Sequence, residues 1–134
     1  MDITAGIDLI KEFEGCRLTE YQDIAGVLTI GWGHKILSNE NFSDGITQAQ
    51  ADIILNSDLI VIKKYLESIP NLTDNQASAL ADFGYNLGLG SLKTMVLHGL
   101  NNVQSQILRW NKAGGVVAPG LARRRQAELA LWSS

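Results

Sequence analysis

The hydrophobic positions change their spacing along the chain, and the spacing predicts the elements. From Ile3, apolar residues return at Ile7, Ile10 and Phe13, steps of four, three and three that predict a short amphipathic helix. Gly15 stops it, because glycine tolerates the positive φ that a helix end asks for, and Glu14 falls at the carboxy terminus. Residues 17–23, the turn Ile24-Ala25-Gly26, the run Val27-Leu28-Thr29-Ile30 and then Gly31-Trp32-Gly33-His34 have the β-branched and aromatic character of a hairpin or small sheet. A small β lobe over about residues 16–45 is expected.

From Thr47 the pattern turns helical. Thr47 with Gln50 makes a capping box, and Leu55, Leu59, Ile62, Leu66 and Ile69 continue at steps of four and three until Pro70, a helix of roughly 20 residues. Thr73 with Gln76 opens a second helix through Ala77, Leu80, Ala81, Phe83 and Gly84, whose faces are nearly all small or apolar, so it belongs in the middle of a domain. Gly88 and Gly90 are expected to break it and Ser91 to cap the next. Residues 103–113 read as a further helix ended by Gly114-Gly115, and Pro119 suits the first turn of a last helix through residues 121–132. The fold class is α+β, a small antiparallel β lobe joined to a mainly helical lobe by the long helix.

Composition narrows the class. With 134 residues, 46% of them hydrophobic and 19% charged, one folded domain spanning 1–134 is expected, and no repeat or linker divides it. The single cysteine, Cys16, has no intrachain partner and reads as a packed small hydrophobe. His34 and His98 lack metal-ligand spacing, so no metal is expected, and His34 reads as a brace for the β lobe. The amino terminus carries early acids and no apolar block, so no secretory signal is expected. The longest aliphatic run, Leu59-Ile60-Val61-Ile62, is far short of the ~20 residues of a membrane span, so no stable membrane insertion is expected.

Charge is polarised. Residues 1–82 hold 13 acids against 5 bases, whereas residues 83–134 hold 6 bases against the single acid Glu128. That basic third suits an anionic polymer such as cell-wall glycan or nucleic acid, or is simply a solvated helix face. Arg123, Arg124 and Arg125 cannot share a face, since successive helical residues point ~100° apart, so one turns inward, and Arg124 or Arg125 is expected to reach the Glu14 region. Without interleaved aromatics, nucleic-acid binding is not expected.

Candidate chemistry concentrates in the first 34 residues. A glycosidase needs one protonated and one ionised carboxyl group. Glu14, at a helix carboxy terminus, lies where unpaired carbonyls disfavour the carboxylate, by ~0.3–1 kcal/mol. Asp23, beside turn N–H groups, suits an ionised role, with the Thr29 hydroxyl as a second anchor for water. The plainer reading makes Glu14 a surface charge paired with Lys11 or Arg17, and Asp23 a turn residue.

The spacing favours the chemistry. Phe13-Glu14-Gly15, eight residues between Glu14 and Asp23, five between Asp23 and Thr29, and the run Thr29-Ile30-Gly31-Trp32-Gly33-His34 closely resemble the signature of the phage-type lysozymes, glycoside hydrolase family 24. Tyr21 fits the pattern too. Arg109-Trp110, Ala113-Gly114-Gly115 and Pro119-Gly120-Leu121 with Arg123, Arg124 and Arg125 look like the carboxy-terminal motif of lambdoid-type endolysins, and Gln76-Ala77 through Phe83, Asn86 and Gly88 resembles the family's central helix. The segment 99–106 looks shorter than in many relatives, and Trp32 stands where they often have tyrosine.

The resemblance implies a lysozyme-like fold and hydrolysis, with inversion, of the β-1,4 bond between N-acetylmuramic acid and N-acetylglucosamine. Glu14 would be the acid, and Asp23 and Thr29 would hold the water. Inversion implies carboxyl groups ~6.5–9.5 Å apart. Tyr21, His34, Tyr85, Asn86 and Arg124 are the candidate substrate-binding residues, and no cofactor is expected. The implied partners are peptidoglycan glycan strands and a holin, with the enzyme held as a monomer in the host cytoplasm until released to the wall. A tail or baseplate module and a catalytically silent wall-binding domain are the alternatives, and a lytic transglycosylase is the nearest chemical rival. Asp23 favours hydrolysis, because a transglycosylase has no water to position.

Overall fold

The computed structural model describes residues 1–134. Helix α1, Thr4–Glu14, stops at Gly15, whose φ of 66° and backbone N–H to the Lys11 carbonyl end the helix as the spacing predicts. The three strands that follow, β1 (Arg17–Gln22), β2 (Leu28–Gly31) and β3 (His34–Lys35), form one antiparallel sheet in that order. Its register places Tyr21 opposite Thr29 and Thr29 opposite Lys35, so these three side chains lie in a row on one face.

Helix α2, Gln48–Glu67, carries the expected capping box between Thr47 and Gln50, and buries Ala51, Leu55, Leu59, Ile62 and Leu66 as one stripe. Helix α3, Asp74–Leu87, is capped by Thr73 and Gln76 and is buried without interruption from Ala77 to Gly84. It is the axis of the molecule, packing against α1, α2, α4 (Leu89–Leu97) and α6 (Pro119–Trp132). Close approach of α1 and α3 requires a residue without a side chain: a Cβ on Gly6 would sit 2.6 Å from the Ser78 carbonyl oxygen. The α+β arrangement is the one the periodicity implies.

Two local expectations are corrected. Gly90 does not break a helix and Ser91 does not cap one, because α4 already starts at Leu89 with Gly88 as its N-cap at φ 93° and no side-chain cap. Residues 103–113 are not one helix. They comprise the single turn α5 (Val103–Gln106), a 3-10 turn at Ile107–Arg109 and the strand β4, Lys112–Ala113, which pairs with β5, Val116–Val117. Gly114 and Gly115 have φ of 59° and 80°, the two positive values that a tight two-residue hairpin needs, and the β-branched pair Val116-Val117 continues extended. Trp132 and half-buried Trp110 belong to the core.

Candidate active site

Three elements converge on Glu14. The end of α1 presents its carboxylate, whose Oε2 accepts a hydrogen bond from Arg124 Nη1 of α6 at 2.8 Å. From the β lobe, Gly33 leaves room for it: a Cβ there would lie 2.5 Å from Glu14 Oε1, and φ at Gly33 is 85°. Glu14 opens onto a cavity of about 410 Å³ shared with Gly33, His34, Lys35, Asp58, Tyr85 and Asn86.

Asp23 opens onto an adjoining cavity of about 740 Å³, between the β1–β2 turn and the start of α6, where Phe13 and Arg124 also contribute. Its Oδ1 accepts the Val27 amide at 2.8 Å, and its Oδ2 accepts the Lys35 ammonium. Lys35 and that amide hold the Asp23 carboxyl below its ordinary range. Thr29 is 1% exposed and donates its hydroxyl proton to the Val27 carbonyl at 2.8 Å. Lys35 lines the first cavity and touches Asp23 in the second; Arg124 lines the second and touches Glu14 in the first. Through these two side chains the cavities of the two carboxylates are linked. Tyr21, opposite Thr29 in the sheet, has the Arg17 guanidinium 4.6 Å above its ring. Burial, then the Glu14 charge, pushes its phenol up; Asp23 adds, while Lys35 and Arg17 oppose.

Beneath Glu14 lies a buried ion cluster. Arg124 Nε and Nη2 grip Asp82 at 2.9 and 2.8 Å, and both residues are almost wholly buried. Burial alone would disfavour the guanidinium, but its bonds to Asp82 and then Glu14 raise its proton affinity above the ordinary value. Next to it, Arg125 contacts both oxygens of Glu128, at 2.6 and 2.8 Å, and donates to Asn86 Oδ1 and the Trp110 carbonyl. Burial and the neighbouring Asp82 push the Glu128 carboxyl up to about 10, against the pull of Arg125.

The other predicted site residues brace the cleft. His34 has Asp58 at 2.7 Å on Nδ1 and Glu40 at 2.8 Å on Nε2, so it bonds both only as an imidazolium. Burial opposes that charge, but the two carboxylates outweigh it and raise His34 above 6.5. Tyr85 donates its hydroxyl to the Trp32 carbonyl at 2.6 Å, and burial pushes its phenol up. Trp32 in turn donates to Asp52 at 2.8 Å, with the Lys11 ammonium 5.1 Å from its ring. Half-buried Cys16 accepts from the Gln48 amide at 3.6 Å. No group of three or more His, Cys, Asp or Glu is placed to hold a metal ion.

Of the arginine triplet two members turn inward, not one; Arg124 is the one that reaches Glu14. Sequence reasoning missed Asp82, Lys35, Glu40, Asp58 and Glu128. Two of them had a signal: Asp82 is a lone charge in the apolar part of α3, and Glu128 is the lone acid among the last 52 residues. A buried charge needs a partner, and the basic carboxy-terminal third supplies it.

Comparison with known proteins gives a consistent result. The Phage lysozyme family model matches residues 11–128. The chain is 37% identical to an endolysin of Acyrthosiphon pisum secondary endosymbiont phage 1, over 96% of this chain and 95% of that one. It is 34% identical to an endolysin of Bacillus phage B103 over 96% of its own length, but spans 52% of that relative. Among solved structures, a P22 lysozyme variant superposes with a TM-score of 0.78 at 32% identity, covering 100% of this chain and 99% of the other.

Proposed function

The chain belongs to the phage lysozyme family, and on that premise we propose how its cleft cuts glycan. The protein is a lysozyme, a glycosidase acting on bacterial peptidoglycan in the manner of the endolysins. In the proposed reaction Glu14 delivers a proton to the leaving oxygen of the β-1,4 bond between N-acetylmuramic acid and N-acetylglucosamine. Asp23 and Thr29 hold the attacking water.

One observation carries the water's orientation. The Thr29 hydroxyl gives its only proton to the Val27 carbonyl, so towards a water it can only accept. Asp23, held ionised by Lys35 and the Val27 amide, is an acceptor as well. A water bridging the two donates both hydrogens and turns a lone pair outward, towards the anomeric carbon. Attack from the face opposite the leaving group inverts configuration. Two carboxyl groups and a hydroxyl suffice, so the reading calls for no metal or organic cofactor.

Asn86, on the wall of the Glu14 cavity, and Tyr21 are proposed to contact sugar; His34, Tyr85 and Arg124 act on the cleft's shape. We also propose that the enzyme acts as a monomer of one domain over 1–134. None of its helices is long and apolar enough to cross a membrane, and a lesion made by a holin would give it passage from the host cytoplasm to the wall.

The test is turbidity loss of a cell-wall suspension. Native protein clears it and Glu14→Gln, folded alike by circular dichroism, does not; equal clearing by both would remove Glu14 from the role of acid. Mass spectrometry of the fragments should show reducing muramic acid ends, and anhydro ends would instead make the enzyme a transglycosylase.

A further inference from the structure

A general acid bonded to arginine poses a problem. The bond fixes the carboxyl group, but an unbalanced guanidinium favours the carboxylate and so works against proton donation. Here Arg124 is a fork with two ends. One nitrogen, Nη1, reaches Glu14, while Nε and Nη2 both face Asp82, which is 0% exposed at the centre of α3. The two bonds to Asp82 are made where no water screens them.

We propose that Asp82 is a positioning residue for the reaction: by cancelling the charge of Arg124 from beneath, it lets the guanidinium hold Glu14 in place as a hydrogen-bond donor without fixing it as a carboxylate. The inference rests on the reading of Glu14 as the acid. It also gives a lone charge inside an apolar helix a role beyond tying α6 to α3.

Other charged groups bear on Glu14 from every side. Tyr21 and Arg17 stand on β1, His34 and Lys35 on β3 across the cavity, and Asp23 in the turn beyond. Asp58 comes from α2 and Tyr85 from α3, while one layer deeper on α6 Arg125 contacts Glu128, whose carboxyl burial and Asp82 push up. All but Glu128, whose proton Asp82 helps to hold, keep their charge when Asp82 alone is changed; an ionised Glu128 would only raise Glu14, so a downward shift of Glu14 on that change reports the Arg124 charge that Asp82 had cancelled.

The experiment follows the 13C resonance of the Glu14 carboxyl group against pH, beside the pH profile of glycan cleavage. In Asp82→Asn the uncancelled Arg124 should lower the Glu14 midpoint by about one pH unit. The alkaline limb of kcat should move down equally, with about tenfold less activity on that limb and little change in KM. In the double variant Asp82→Asn/Arg124→Gln both charges are gone, and the midpoint should return to within about half a unit of native.

A purely structural role for Asp82 would lower activity at every pH and leave the Glu14 midpoint unmoved, and that result overturns the proposal. Should Asp82→Asn not fold, the double variant, a neutral pair of similar shape, decides alone. A Glu14 midpoint a unit or more above native there means that native Arg124 was never cancelled, and the proposal is wrong. If the midpoint moves in Asp82→Asn while the alkaline limb stays, cancellation stands and Glu14 loses its role as proton donor.

Discussion

Arg124 and Glu14, 110 positions apart, meet at 2.8 Å in the wall of the cleft. The same guanidinium spans on to Asp82, so α6 reaches across α3 to the tip of α1 through one side chain. Lysine keeps the charge but has no planar fork and cannot hold both carboxylates. Arg124→Lys should lower kcat about 10- to 100-fold through misplacement of Glu14. It should also cost about 1–3 kcal/mol of stability through lost charged hydrogen bonds. Steady-state kinetics and urea unfolding measure the two losses separately.

Gly33 tests the room left for the acid. A Cβ there would press on the Glu14 carboxyl, which Arg124 prevents from moving aside. Gly33→Ala should lose about 1–2 kcal/mol through its positive φ. It should also lose about 100-fold in cleavage, as expected for a displacement near 1 Å. Gly99→Ala, at φ 95° and away from both cavities, is also strained by a positive φ and should keep its activity.

Lys35 sets how far into acid the enzyme works. Asp23 must be ionised, and Lys35 is the main reason that its carboxyl is held low. A depressed carboxyl keeps activity until pH falls through the lowered value. Lys35→Met should therefore move the acid limb of the cleavage profile to higher pH, as read from kcat against pH.

The His34 brace makes stability depend on pH. Its proton affinity is raised above the unfolded 6.5, so its contribution is complete below that pH and is lost as pH rises through the folded value. Glu40 is held low by the Leu37 amide and then by His34, so its contribution is present above 4.5 and is lost as pH falls through the folded value. Native protein should therefore melt highest between these limits and lower on the alkaline side. His34→Asn should flatten that alkaline decline, and a thermal melt series in pH reads it directly.

What the sequence determined by itself is what depends on neighbours a few positions away. The Ile3–Ile7–Ile10 stripe and Gly15 place Glu14 at a helix end, Asp23 and Gly26 make the turn, and the two capping boxes start α2 and α3. These rest on backbone periodicity and local hydrogen bonds, which act wherever the residues occur. Residues 103–117 escaped that logic because their helical spacing competes with a Gly-Gly turn, and short-range propensity is too weak to choose between them. Only packing decided which charge meets which. Crossing α1, α3 and α6 brings Glu14, Asp82 and Arg124 together, and once water is excluded a buried charge is stable only against a partner that the fold has placed within reach.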